Sequence, residues 1–357
     1  MQRRRLLQTA AAGFAVAAAP RLARAQAPTL SGGSVPYSII DVHTHPLLPK
    51  FRQTLAADPA HASPPGTLAG MPEPAWSRDL HIENMDKHGI AISVASTPGV
   101  ASGIAGKNSA RQARALNEEL ATFVASNPSR LGAFAVVPMD DMDAALSEMA
   151  YALDVLKLDG VYADTHLAGK YLGDASFDPW FAEMNRRGVT LFVHPTVPPG
   201  FNPATSKMNV AVLEFMFDST RMVTNMVLSG AKQKFPKVNI ISTHGGGTIP
   251  YLAQRIASAG QFPWAYPGGP KLTPPEIMAS LGSFYYDLTL STSPTSLDAI
   301  RSLVPPERLL MGFDFPMMPP QSIAPATKSF AEYAGLNADA KKNIAELNAR
   351  RLFPRFA

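Results

Sequence analysis

Residues 38–49 read SIIDVHTHPLLP, and the fold turns on that stretch. Ile39, Ile40 and Val42 form a short apolar run that ends in His43 and His45. A strand alternates its side chains between two faces, so positions two apart point the same way. The two imidazoles therefore stand side by side at a strand's end. Alone they are polar residues closing a strand. With further donors beside them they are two arms of a metal site.

Similar apolar runs recur along the chain, at 39–45, 90–97, 131–138, 160–165, 190–195, 238–244, 284–290 and 309–315. Several are nearly continuous, as parallel strands covered on both faces must be. Helical patterns lie between them at 78–87, 109–126, 144–156, 178–187, 211–235, 249–258 and 294–303. Eight strands alternating with helices predict a distorted (β/α)8 TIM barrel as a single domain over 28–357. A doubly wound open sheet fits less well, because no glycine-rich phosphate loop follows the first run. The stretch 47–74, rich in Pro, Gly and Ala, reads as a long functional loop, a lid or pocket wall. Residues 326–349 read as one or two closing helices.

The start of the chain has a different character. Residues 1–27 carry a basic head, an apolar middle from Ala10 to Ala19 and a small-residue end, Ala23-Arg24-Ala25. This is the layout of a cleaved export signal, followed by a Pro/Gly/Ser tether to about residue 37. Arg3-Arg4-Arg5-Leu6-Leu7 resembles a twin-arginine signal, which export machinery reads as an address. The apolar part is too short to span a bilayer. The expectation is a periplasmic protein, cleaved near Ala25, without a stable membrane anchor. The formal charge of +4 loses Arg3, Arg4, Arg5, Arg21 and Arg24 with that signal and becomes −1. The mature part has no basic stripe with interleaved aromatics, so nucleic acid is not an expected partner. Cysteine is absent, which excludes disulfides, thiolate metal sites and cysteine nucleophiles.

Metal-competent residues gather where the runs end. His43 and His45 end the first, His194 the fifth, His244 the sixth and Asp314 the eighth. In an α/β barrel these ends share one face, where catalytic groups collect. Imidazoles with a carboxylate suit Zn²⁺ and other divalent first-row ions, and an open coordination position makes such a site catalytic.

His-x-His on strand 1, His on strands 5 and 6, and Asp on strand 8 resemble the amidohydrolase superfamily pattern. DVHTHPLLP, the stretch from GVYADTH to TLFVHPT, FPKVNIISTHGGGTIPYLAQR and RLLMGFDFP are similar to the branch of aminocarboxymuconate-semialdehyde decarboxylase and γ-resorcylate decarboxylase. The likeness covers roughly residues 38–355. It implies that His43, His45, His194 and Asp314 hold the metal and that His244 is the acid/base beside it. No lysine ends the fourth run, where dinuclear members carry a bridging one, so one ion is expected, Zn²⁺ before Mn²⁺. The resemblance also implies that Arg255 reaches across a homodimer interface to a substrate carboxylate. The family's second carboxylate-binding arginine has no counterpart in TLAGMPEPA, before Trp76, which tells against a muconate-type dicarboxylate.

His166, after the fourth run, faces the active-site rim as a candidate substrate contact. His61, His81 and His88 read as solvated or structural, Trp180 as helix packing, and Met216, Met222 and Met226 as a core stripe. The expected activity is decarboxylation of a small carboxylate-bearing, aromatic or unsaturated substrate, with His244 moving the proton that replaces CO₂. The alternative is hydrolysis of a lactone, ester or amide, in which Asp314 takes the proton from water and His244 steadies the oxyanion. A non-catalytic binding protein is disfavoured by the intact set of five residues.

Overall fold

A computed structural model describes residues 37–57, 66–68, 70–100, 104, 106–167, 169–202 and 207–357. The export signal and His61 lie outside the described residues. The barrel strands are β1 (Ile39–Thr44), β2 (Ile90–Ala95), β3 (Leu131–Ala135), β4 (Gly160–Asp164), β5 (Thr190–His194), β6 (Asn239–Ser242), β7 (Tyr285–Asp287) and β8 (Leu309–Leu310). They pair in that order, all parallel. Bridges Asp41↔Met311 and Thr44↔Phe315 bring the last strand segment back beside the first. Val42 N–H donates to Met311 O at 3.0 Å and His45 N–H to Phe315 O at 2.7 Å. This is the expected (β/α)8 barrel. Its strands are almost wholly buried, from Ile39 and Ile40 through Phe192 to Leu309 and Leu310, with only Ala91, Asn239 and Tyr285 partly exposed. Residues of that size each contribute ~1.5–3 kcal/mol when fully buried.

The helices follow the predicted pattern with three differences. The long helix expected over 211–235 ends at Leu228, and a single turn, Ala231–Lys234, follows. Gly230 breaks it with φ +82, a conformation that glycine reaches at little cost. The stretch 47–74 is not all loop: it holds the helix Pro49–Ala57, with Phe51 and Leu55 buried, and a two-stranded ribbon, Thr67–Leu68 with Met71–Pro72. A helix Pro274–Leu281 stands where none was expected. Its signal was the capping box Thr273/Glu276 with prolines in the first turn, which fixes a helix start without long periodicity. No helix among the described residues is long and apolar enough to cross a membrane.

Two histidines resolve as structural. His81 is 1% exposed, between Trp76 Nε1 at 3.3 Å and Ser93 Oγ at 3.1 Å. Burial pushes its pKa down to about 4. His88 is partly buried at the end of its helix. Trp180, Met222 and Met226 are core residues, whereas Met216 is partly exposed.

Candidate metal centre

The strand ends deliver the site. His43 lies on β1 and His45 just beyond it, His194 closes β5, and Asp314 follows β8 with φ +60. Their donor atoms all lie within 4.8 Å of one another, and the three imidazoles are buried.

The outer nitrogens settle which atoms face inward. His43 Nδ1 lies 2.9 Å from Asp287 Oδ2, His45 Nδ1 3.3 Å from Ser96 O, and His194 Nδ1 2.7 Å from Pro195 O. Those oxygens only accept, so each Nδ1 carries the proton and each Nε2 keeps a lone pair. The lone pairs converge: His43 Nε2 is 3.1 Å from His45 Nε2, and His45 Nε2 is 2.9 Å from Asp314 Oδ1. His194 Nε2 is buried without a hydrogen-bond partner. Four electron-rich atoms so close together repel unless a cation sits among them. The donor set of three nitrogens and one oxygen fits a single divalent ion.

The electrostatics agree. Burial holds the pKa of His43 below its ordinary value; burial and the neighbouring His45 hold His194 well below. Burial opposes the charge of Asp314, but the imidazoles of His244, His45 and His43 around it outweigh that and keep the carboxyl well below its usual range.

His244 stands beside the donors, not among them. Its Nε2 is 3.7 Å from Asp314 Oδ2 and its Nδ1 3.1 Å from Thr243 Oγ1. The glycines after it are required by packing. A Cβ on Gly246 would lie 2.2 Å from Tyr286 Cε1, and one on Gly247 2.1 Å from Met216 O. The HGGG turn thus lets the backbone pass between a ring and the helix Val210–Leu228.

Asp287, at the end of β7, escaped the sequence reading. It is fully buried, holds His43 Nδ1, and accepts from the backbone N–H of His244 and of Thr289, each at 3.0 Å. Burial works against its charge, yet the neighbouring His43, hydrogen-bonded to it, brings its pKa below the usual value. The signal was present: an acid inside the apolar run FYYDLTL needs a partner. Ser96 Oγ, 3.1 Å from His45 Nδ1, was missed because a serine after a strand has no distinctive pattern. Partners of this kind tune metal affinity by 10- to 100-fold. Asp287→Ala is therefore expected to raise the metal dissociation constant by about that factor, measured by competition with a chromophoric chelator. Unchanged affinity would remove this role.

Asp164 ends β4, where no lysine stands, and is engaged by the Tyr162 hydroxyl and by Gly99 N–H at 3.0 Å. His166 lies on a small ribbon, His166–Leu167 with Lys170–Tyr171. Its Nε2 is 3.1 Å from Val197 O, and its buried Nδ1 has no partner among the described residues. Arg255 does not join its own chain's centre. It is exposed on the helix Ile249–Gly260 and lines an outer groove with Arg221.

Comparison with known proteins adds a family. The amidohydrolase family model matches residues 40–355. The chain is 32% identical over 336 residues to decarboxylase macB of Penicillium terrestre, covering 89% of this chain and 95% of that one. It is 32% identical over 323 residues to 6-methylsalicylic acid decarboxylase of Penicillium expansum, covering 88% and 96%. Among solved structures it resembles 5-carboxyvanillate decarboxylase of Novosphingobium aromaticivorans complexed with manganese and 4-hydroxy-3-methoxy-5-nitrobenzoic acid, at TM-score 0.78, 21% identity and coverage of 91% and 98%.

Proposed function

Because this chain belongs to the amidohydrolase family, we propose that it is a metal-dependent carboxy-lyase that removes CO₂ from a small hydroxylated benzoic acid. The observation that carries the reading is His244 Nε2, held 3.7 Å from Asp314 Oδ2 beside four converging lone-pair donors. The relatives of similar length named as decarboxylases support it. His43, His45, His194 and Asp314 would hold a divalent ion, which would supply positive charge to offset that of the substrate's oxygens. As the bond between ring carbon and carboxylate breaks, that carbon gains a proton. His244 is placed to move it, with Asp314 next to it, and both are nearly enclosed. Enclosure strengthens each charge interaction and keeps stray water from the reacting carbon. His166 Nδ1 is a further acceptor for a ring hydroxyl.

The test is turnover of a panel of hydroxybenzoates in D₂O. The expected result is CO₂ and a product bearing one deuterium at the carbon that lost the carboxylate. A panel of lactones and esters, read by acid release, runs beside it. Hydrolysis there without CO₂ from any benzoate overturns the proposal in favour of the hydrolase.

For the ion, three imidazoles and a carboxylate favour Zn²⁺, while the similar carboxyvanillate decarboxylase was solved with manganese. Elemental analysis of the purified chain decides between them. We also propose export to the periplasm, supported by Arg3–Leu7 and Ala23–Ala25, and a homodimer in which Arg255 serves the partner's substrate carboxylate. Val212, Leu213, Tyr251 and Trp264 are exposed apolar side chains on the two helices facing the groove and just after them, as an association face requires. Light scattering should report twice the chain mass, and Arg255→Ala should raise KM for carboxylates with the metal retained. A monomer removes the shared-site role.

A further inference from the structure

Each of the three imidazoles at the centre has an oxygen behind it. For His43 it is the Asp287 carboxylate and for His45 the Ser96 carbonyl. For His194 it is the carbonyl of the next residue, Pro195, at 2.7 Å. That contact depends on how the peptide between Pro195 and Thr196 is turned. The proline ring locks φ of residue 195, and the peptide is planar and trans. The ψ angle of Pro195 is then the one soft torsion that swings its carbonyl toward or away from the imidazole.

The other edge of the same peptide is held. Thr196 N–H donates to Asp218 Oδ2 at 3.1 Å. In a trans peptide the N–H and C=O point in opposite directions, so Asp218 and His194 grip one rigid plate from its two sides. Asp218 lies on the helix Val210–Leu228 and is fully buried. It also accepts from the Thr165 hydroxyl and, at 2.7 Å, from the Tyr171 hydroxyl. A buried carboxylate is costly unless hydrogen bonds satisfy it, and these three fix where it sits. Its helix is braced as well. Phe215 packs edge-on against the His194 ring at 5.9 Å, and Thr220 Oγ1 accepts from Thr248 N–H, just after the HGGG turn, at 2.9 Å. Thr165 N–H donates to His194 O at 3.2 Å, so the same carboxylate reaches the backbone of His194 from the β4 side too.

We propose that Asp218 is a positioning residue for the metal centre: by holding Thr196 N–H it turns Pro195 O onto His194 Nδ1 and so aims His194 Nε2 at the ion. The proposal rests on the metal centre and not on the reaction assigned to it. The test reads Co²⁺ held by the full chain, by competition with a chromophoric chelator and by the visible spectrum of the bound ion, which reports ligand geometry. Asp218→Ala is expected to raise the dissociation constant about 10- to 100-fold and to alter the spectrum. Asp218→Asn keeps an oxygen for Thr196 N–H and should bring affinity back to within about three-fold of the wild type. Tyr171→Phe takes a different hydrogen bond from the same carboxylate and should leave affinity within about two-fold and the spectrum unchanged. If Asp218→Ala does not fold, Asp218→Leu combined with Thr165→Val and Tyr171→Phe replaces the carboxylate and both hydroxyls by apolar groups, which a buried site tolerates better than a lone deletion. That variant should lose Co²⁺ affinity to the extent expected of Asp218→Ala. Unchanged affinity and spectrum in either variant overturn the proposal. So does an affinity in Asp218→Asn as low as in Asp218→Ala. An equal loss in Tyr171→Phe also overturns it, because the carboxylate then acts through the packing of its helix and not through Thr196. A wild-type chain that takes up no Co²⁺ overturns the metal centre itself, and the proposal with it.

Discussion

Asp314→Asn is expected to strip the chain of its metal and reduce turnover by at least about 10³-fold, since the ion's Lewis-acid contribution is lost with it. Among the converging donors Asp314 alone bears a negative charge. Its oxygens face His45 Nε2 at 2.9 Å and His43 Nε2 at 3.7 Å, so it neutralises a cation that three neutral imidazoles cannot. Asparagine keeps the shape, removes the charge and turns an N–H₂ donor toward a ring of acceptors. The wild-type chain should hold about one equivalent of ion after dialysis and the variant under about a tenth, with unchanged circular dichroism. A chelator should lower the melting temperature of the wild type, because an ion that binds only the folded chain stabilises it by mass action. It should leave Asp314→Asn unmoved. A variant that keeps full metal and full turnover removes Asp314 from the centre, and two equivalents in the wild type overturn the single-ion assignment.

That the centre could be read from sequence at all follows from barrel geometry. The five residues His43, His45, His194, His244 and Asp314 are far apart in the chain, but each stands where an apolar run stops. Parallel strands put all such ends on one face. Spacing carried the information because β periodicity carried it: His43 and His45 point together since they are two apart. The supporting groups were less legible. Asp287 stands inside its run, and its use appears only when β7 is placed near β1. Asp218 sits on a helix that looked like packing, yet it ties Tyr171 to Thr165 and Thr196. Such contacts join residues tens to hundreds of positions apart, and no local pattern marks them. Helices were found where amphipathic periodicity ran long. The helices Pro49–Ala57 and Pro274–Leu281 were missed because they are short and proline-flanked, which makes a segment look like loop.

His244→Ala separates holding the metal from moving the proton. His244 contributes no donor to the four-atom cluster, so the variant should keep its equivalent of ion. Its kcat should fall about 10²- to 10⁴-fold, the range for loss of a positioned acid/base, with a much smaller change in KM. The split is the informative part. An interaction made mainly in the transition state lowers kcat and kcat/KM together, whereas a lost binding contact raises KM. Because the side chain is nearly buried between the rings of His43 and His194, at 4.8 and 5.2 Å, alanine leaves a hole of imidazole shape. Added imidazole should restore part of the rate, and formate, which cannot fill that hole, should not. Full activity in His244→Ala would move the proton transfer to Asp314 alone. Loss of the ion would mean that His244 is a ligand and that the centre has five protein donors. Either result would change which atom delivers the proton that replaces CO₂.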